Sequence, residues 1–244
     1  MPSKSSFSSK IVKSLKSGSD LVYLPFLAII TFYAAQFIVG VPMLIILGSD
    51  TLKTPLVATI FSVLVYSLSF IFLLFALKHI KPLKDLVTRN ELGFKDLVTF
   101  SDIGLAIAGL FGYLTFSAIL TALFSVFPWF NLTENQPLLY STLISPLNKV
   151  FAAIALVVVG PILEEVIYRG LIYGKLRKKH SLITSILIVS ILFGFLHGQW
   201  NVGVDVFALS VVACLMRETT GTIYAGIILH ILKNTIAFYF LFMA

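Results

Sequence analysis

The chain has 244 residues, of which 58% are hydrophobic and only 12% charged, with 22 phenylalanines and a mean hydropathy of +1.00. Soluble domains carry about 25% charged residues, so this chain has too little polar material to cover a water-facing surface. A soluble enzyme, a soluble nucleic-acid binder and a disulfide scaffold are excluded, the last also because Cys214 is the only cysteine. Long apolar runs, rather than alternating segments of ~10 residues, predict an all-α transmembrane helix bundle, because a helix satisfies its own backbone hydrogen bonds in lipid.

Residues 1–20 hold Lys4, Lys10, Lys13 and Lys16 among serines. No short apolar core with a small-residue cleavage site follows, so the stretch reads as a cytoplasmic basic tail. Apolar spans are expected at about 21–47, 56–77, 103–127, 147–170, 181–199, 204–216 and 222–243, on the rule that ~20 residues cross the hydrocarbon core. This gives seven helices, or eight if one is missed, with the sixth unusually short. Residues 21–146 form the N-terminal membrane helices, and 147–244 form the bundle that carries the chemistry.

With the N-terminus in the cytoplasm, the loops 78–102, 171–180 and 217–221 share its side. Of the 18 lysines and arginines, only Lys53 and Lys149 then fall in outer loops, which is the positive-inside pattern. The net charge of +7 is thereby assigned to topology and to anionic lipid, and no nucleic-acid partner is expected. Residues 78–102, with Leu83, Leu86, Val87, Leu92, Phe94 and Leu97, suit either a short surface helix or a solvated linker. The outer loop 128–146 contains no lysine or arginine, and its Asn131-Leu132-Thr133 has the form of a glycosylation sequon.

Ionisable groups inside a membrane cost roughly 2.5–3.5 kcal/mol each on insertion scales, so the spans that tolerate them are informative. The first three spans are almost entirely apolar, whereas the last four hold Glu164, Glu165, Arg169, His197, Asp205, His230, Lys233 and Asn234. Residues four apart on a helix share a face, so Glu165 can pair with Arg169 while Glu164 points elsewhere. His230 and Asn234 share a face in the same way. Counting ~1.5 Å per residue from the turns puts Glu164 and His197 at similar depth, but leaves His230 about 10 Å nearer the membrane surface. Pro161, a re-entrant turn or a longer cytoplasmic extension of the fourth helix would reconcile the depths.

A carboxylate and an imidazole at one depth can hold a water, the glutamate taking its proton while the histidine orients it. A second histidine and an asparagine amide can donate to the oxyanion that forms when that water attacks a carbonyl. This set suits amide hydrolysis without a cofactor. Glu164, His197 and His230 could instead hold zinc as three ligands plus water.

Three elements stand in order: Glu-Glu-x-x-x-Arg at 164–169, Phe-x-x-x-His from Phe193 to His197, and His-x-x-x-Asn at 230–234. They resemble the motifs of the CAAX protease and bacteriocin-processing (Abi) family of intramembrane endopeptidases, over about residues 147–244. The resemblance implies that Glu164 is the catalytic glutamate and His197 its partner in activating water. It further implies that His230 and Asn234 form the oxyanion site and that Glu165 and Arg169 brace the helix. The implied substrate is a prenylated, membrane-associated or bacteriocin-related peptide. A small lysine-rich chain without a large loop domain resembles the bacterial branch, and hence a bacterial cell-membrane protein.

Two other readings compete. A bacteriocin-immunity or membrane interaction protein could use the fold without hydrolysis. A proton-coupled transporter would use the buried groups as a relay, but it calls for paired repeats or broken helices in both halves. Membrane lipids and a peptide or membrane-protein substrate are the expected partners. Gly104, Gly109 and Gly112 permit close helix contact, for which packing within the bundle is the expected use rather than oligomerisation.

Overall fold

A computed structural model describes residues 4–79, 90, 92–134 and 146–243, with side chains at 26–76, 90, 92–134 and 146–243. All regular structure among these residues is helical, in seven successive helices. These are α1 (Lys4–Leu52), α2 (Pro55–His79), α3 (Phe100–Phe124), α4 (Pro146–Arg177), α5 (Leu182–Phe195), α6 (Trp200–Thr220) and α7 (Tyr224–Phe242). Phe26–Leu52, Pro55–Ala76, Phe100–Phe124, Pro146–Arg177 and Tyr224–Phe242 are long and apolar enough to cross a membrane, and α5 is a shorter apolar helix. The chain is an integral membrane helix bundle.

The short sixth span of the sequence reading is in fact a helix of 21 residues. The residues it adds to the expected 204–216, at 200–203 and 217–220, are more polar than the apolar run between them, which already contains Asp205. Its carboxylate is met by α3, where the Tyr113 and Ser117 hydroxyls donate to Oδ1 at 2.6 and 2.7 Å, so the helix continues through the acidic residue. The fold is inside-out relative to a soluble protein. Glu165, Arg169, Ser185, Ser190 and Ser210 are fully buried, while Phe37, Ile45, Phe75 and Phe111 are exposed where lipid would lie.

Contacts at the two ends set the order of the loops. At one end Arg177 and Tyr173 of α4 both bond Glu218 of α6, at 2.8 Å each. The segment 92–99 crosses the same end as turns and extended chain. Its Gly93 carbonyl accepts from Ile223 N at 3.3 Å and its Asp96 carbonyl from the Tyr224 hydroxyl at 2.6 Å. Leu83, Leu86 and Val87 of the expected surface helix lie outside the described residues. Thr99 then opens α3 with a reciprocal cap, its hydroxyl accepting from Asp102 N while the Asp102 carboxylate accepts from Thr99 N. At the opposite end Trp129 meets Trp200 at 5.1 Å and Asn201 donates to the Leu132 and Glu134 carbonyls. There Asn131 accepts from the backbone and hydroxyl of Thr133.

Two local features position the site. Gly194 of α5 and Gly203 of α6 touch through their backbones: a Cβ on Gly194 would lie 2.7 Å from the Gly203 carbonyl oxygen, and one on Gly203 2.9 Å from that of Gly194. Only glycine at both positions allows this approach. The second feature is the uneven winding of α4, in which π-helical turns at Ile154–Val159 and Val166–Tyr173 flank the α-helical Gly160–Glu165. Such wide turns recur at functional sites.

Candidate active site

The segment Gly160–Glu165 carries two adjacent carboxylates into different surroundings. Glu165 is fully buried. Its Oε1 lies 2.8 Å from Arg169 Nη1 and 3.0 Å from His230 Nδ1, and its Oε2 faces Gly226, where a Cβ would sit 3.0 Å away. Gly226 is therefore the space that admits this carboxylate between α4 and α7. Glu164 instead lines a cavity of about 510 Å³ together with Tyr168, His197, His230, Lys233 and Asn234. Its Oε1 accepts a hydrogen bond from the Tyr66 hydroxyl at 2.5 Å, and its Oε2 lies 3.6 Å from His230 Nε2.

His197 follows the C-terminus of α5 in a turn closed by Gly198, whose φ is 73°. Its Nδ1 is 2.7 Å from the Phe193 carbonyl oxygen. A carbonyl only accepts, so Nδ1 carries the hydrogen, and in the neutral ring Nε2 keeps the lone pair. By the same logic His230 Nδ1 donates to Glu165, whose charge is already balanced by Arg169, and His230 Nε2 is turned toward Glu164. Phe193 lies against three of these groups. The Arg169 guanidinium lies 4.6 Å from its ring centroid, and the His197 and His230 rings approach it edge-on at 4.9 and 5.9 Å.

Asn234 also has a partner that sequence spacing does not suggest, since its Nδ2 donates to the Leu156 carbonyl at 2.8 Å. In the wide turn of α4 the Gly160 N–H goes to Ala155 O. The next amide along, at position 161, is a proline with no hydrogen to give. Leu156 O is thus left without a helical donor, and Asn234 supplies one.

The structure therefore brings Glu164, His197, His230 and Asn234 to one cavity and closes Glu165 and Arg169 away behind it. The structure brings His230 to both glutamates despite the mismatch in counted depth, with Nδ1 3.0 Å from Glu165 Oε1 and Nε2 3.6 Å from Glu164 Oε2. The first half of the chain contributes more than anchorage. Besides Tyr66, the residues Phe32 and Gln36 of α1 and Ser62 of α2 line the cavity, and Tyr113 and Ser117 hold Asp205, which pairs with Lys233 at 3.4 Å. Among the described residues no three His, Cys, Asp or Glu side chains, Glu164, His197 and His230 included, converge as metal ligands do.

Residues 146–236 match the family model described as type II CAAX prenyl endopeptidase Rce1-like. The match spans helices α4 to α6 and most of α7. It begins at the first residue of α4 and contains Glu164, Glu165, Arg169, His197, His230 and Asn234, whereas Tyr66 lies outside it. The chain is also 33% identical over 78 residues to the Bacillus subtilis (strain 168) protein named "Putative membrane peptidase YdiL", an alignment covering 32% of each. The chain thus matches about a third of the length of that curated relative. No solved structure matches it.

Proposed function

We propose that the protein is an intramembrane endopeptidase in which Glu164 activates water without a metal ion. The observation that carries this reading is the division of labour between neighbouring carboxylates. Glu165 is neutralised by Arg169 and tied to His230, while Glu164 reaches the cavity. Paired carboxylates in such different environments are a recurrent basis for separate structural and catalytic roles.

In the proposed reaction Glu164 takes a proton from a water oriented by His197 Nε2, and the water oxygen bonds to the substrate carbonyl carbon. The resulting oxyanion accepts hydrogen bonds from the second amide hydrogen of Asn234 and from His230 Nε2 once that nitrogen carries a proton. The C–N bond then breaks as Glu164 passes its proton to the departing amine, so that one water is consumed per bond cut. The proposed substrate is a membrane-associated peptide, prenylated or bacteriocin-related. The lysine and arginine asymmetry supports a cytoplasmic N-terminus, and the resemblance supports a bacterial cell membrane as the location.

Substrate trapping tests the reading. Membranes carrying Glu164→Gln protein should retain a peptide that the wild type cleaves and Glu164→Gln does not, with folded yield preserved because the substitution keeps shape and removes only the base. Full cleavage by Glu164→Gln, with Glu165→Gln inactive, would reverse the two roles.

A further inference from the structure

We propose that Tyr66 is a positioning residue for Glu164: its hydroxyl engages Oε1, so that Oε2 is the oxygen that takes the proton from water. The inference rests on the proposed hydrolysis for its catalytic meaning, but not for its structural content. Tyr66 belongs to α2, stands 98 residues before Glu164 and lies outside the family-matched segment. At 2.5 Å its bond is at the short end of the range for a hydroxyl on a carboxylate.

The geometry selects between the two carboxylate oxygens. Oε1 faces the α2 hydroxyl, and Oε2 faces His230 Nε2. One strong donor on Oε1 satisfies part of the charge there and fixes the rotation of the carboxylate, leaving Oε2 toward the histidine. The neighbouring α2 hydroxyl, Ser62, is spent within its own helix on the Ala58 carbonyl at 2.9 Å. The tyrosine ring is itself steadied by Phe32 of α1, 6.0 Å away between centroids. Orientation of a general base by a neighbouring donor is a common source of rate, since small misplacements of the reacting groups are costly.

Full-length protein in nanodiscs allows two independent measurements. The first is the rate at which dicyclohexylcarbodiimide, which attacks protonated carboxyl groups in apolar surroundings, modifies Glu164, followed by peptide mass spectrometry with Glu164→Gln as the blank. Tyr66→Phe should speed this modification several-fold, because Oε1 loses the hydroxyl that occupies it and becomes open to the reagent. The second uses a farnesylated, internally quenched peptide as probe. Tyr66→Phe should lower kcat by about 10- to 100-fold, the loss expected for one hydrogen bond to a charged group, with KM within about twofold. Replacement of Tyr66 by 4-aminophenylalanine, which keeps the ring and a donor, should restore most of kcat. If Tyr66→Phe does not fold, that variant carries the test by retaining wild-type labelling and rate. Unchanged labelling in folded Tyr66→Phe overturns the proposal. Altered labelling without any hydrolysis by the wild type would overturn the proposed function and leave Tyr66 as the residue that orients Glu164.

Discussion

The side-chain amide of Asn234 completes the hydrogen bonding of Leu156, a backbone carbonyl that Pro161 leaves without a donor. The residue proposed to steady an oxyanion thus also holds α7 against the wide turn of α4. Asn234→Ala should lower stability by about 1–3 kcal/mol through the stranded carbonyl and lower the rate on the order of 10²-fold through the lost oxyanion donor. Pro161→Ala separates the two effects by returning an N–H to that turn. In the double variant thermal stability in detergent should recover toward that of Pro161→Ala alone while the rate stays low. Joint recovery of rate and stability would show that Asn234 acts only through packing.

Arg169 has no exposed surface, and its removal strands Glu165 in the same state. Breaking a buried pair from one side costs roughly 3–5 kcal/mol, so Arg169→Ala should give little folded protein by fluorescence-detected size exclusion. Arg169→Met combined with Glu165→Met removes both charges and should recover much of the yield. Equal yields for the single and double variants would refute this account of the pair.

The α5–α6 approach predicts sensitivity to a single methyl group. Gly194→Ala forces carbon against a carbonyl oxygen of the neighbouring helix and should destabilise by about 1–3 kcal/mol. It should also reduce hydrolysis, because His197 lies three residues further on. Gly104→Ala meets nothing within 4 Å and should hold or raise the melting temperature, as alanine does in an open helical position. A melting temperature for Gly194→Ala equal to that of the wild type would contradict the close crossing.

Loop sidedness is open to cysteine labelling in a Cys214→Ala background. Single cysteines at Lys95 and Lys178 should react with an impermeant reagent from the cytoplasmic side, and one at Asn131 from the other. Reaction of positions 131 and 178 from the same side is incompatible with this topology.

Metal dependence follows from the same geometry. Protein stripped by a chelator and checked by elemental analysis should keep its hydrolytic rate, because Glu164 itself supplies the base. Loss of activity on removing one tightly held zinc, with recovery on its return, would establish a metal mechanism instead.

The site was legible in sequence to the extent that its residues are expensive in lipid. Glu164, Glu165, Arg169, His197, His230 and Asn234 stood out because a charged group or amide in an apolar span needs a reason. Tyr66, Tyr113 and Ser117 gave no such signal. A tyrosine ring is largely apolar and a serine hydroxyl can bond its own helix, so hydropathy passes over both, and only the folding of α2 and α3 against α4 and α6 brings them to their carboxylates. The depth of His230 is hidden for a related reason. Counting from turns assumes regular α-helix, whereas α4 winds as π-helix over Val166–Tyr173, and nothing in its composition marks the change.

Phe193 is the ring on which a full cation and two imidazoles meet. The Arg169 guanidinium lies over it, and the His197 and His230 rings approach it at steep angles. Its electron-rich face favours a guanidinium that water would otherwise solvate, which lets a permanently charged residue remain buried in the bundle as scaffold.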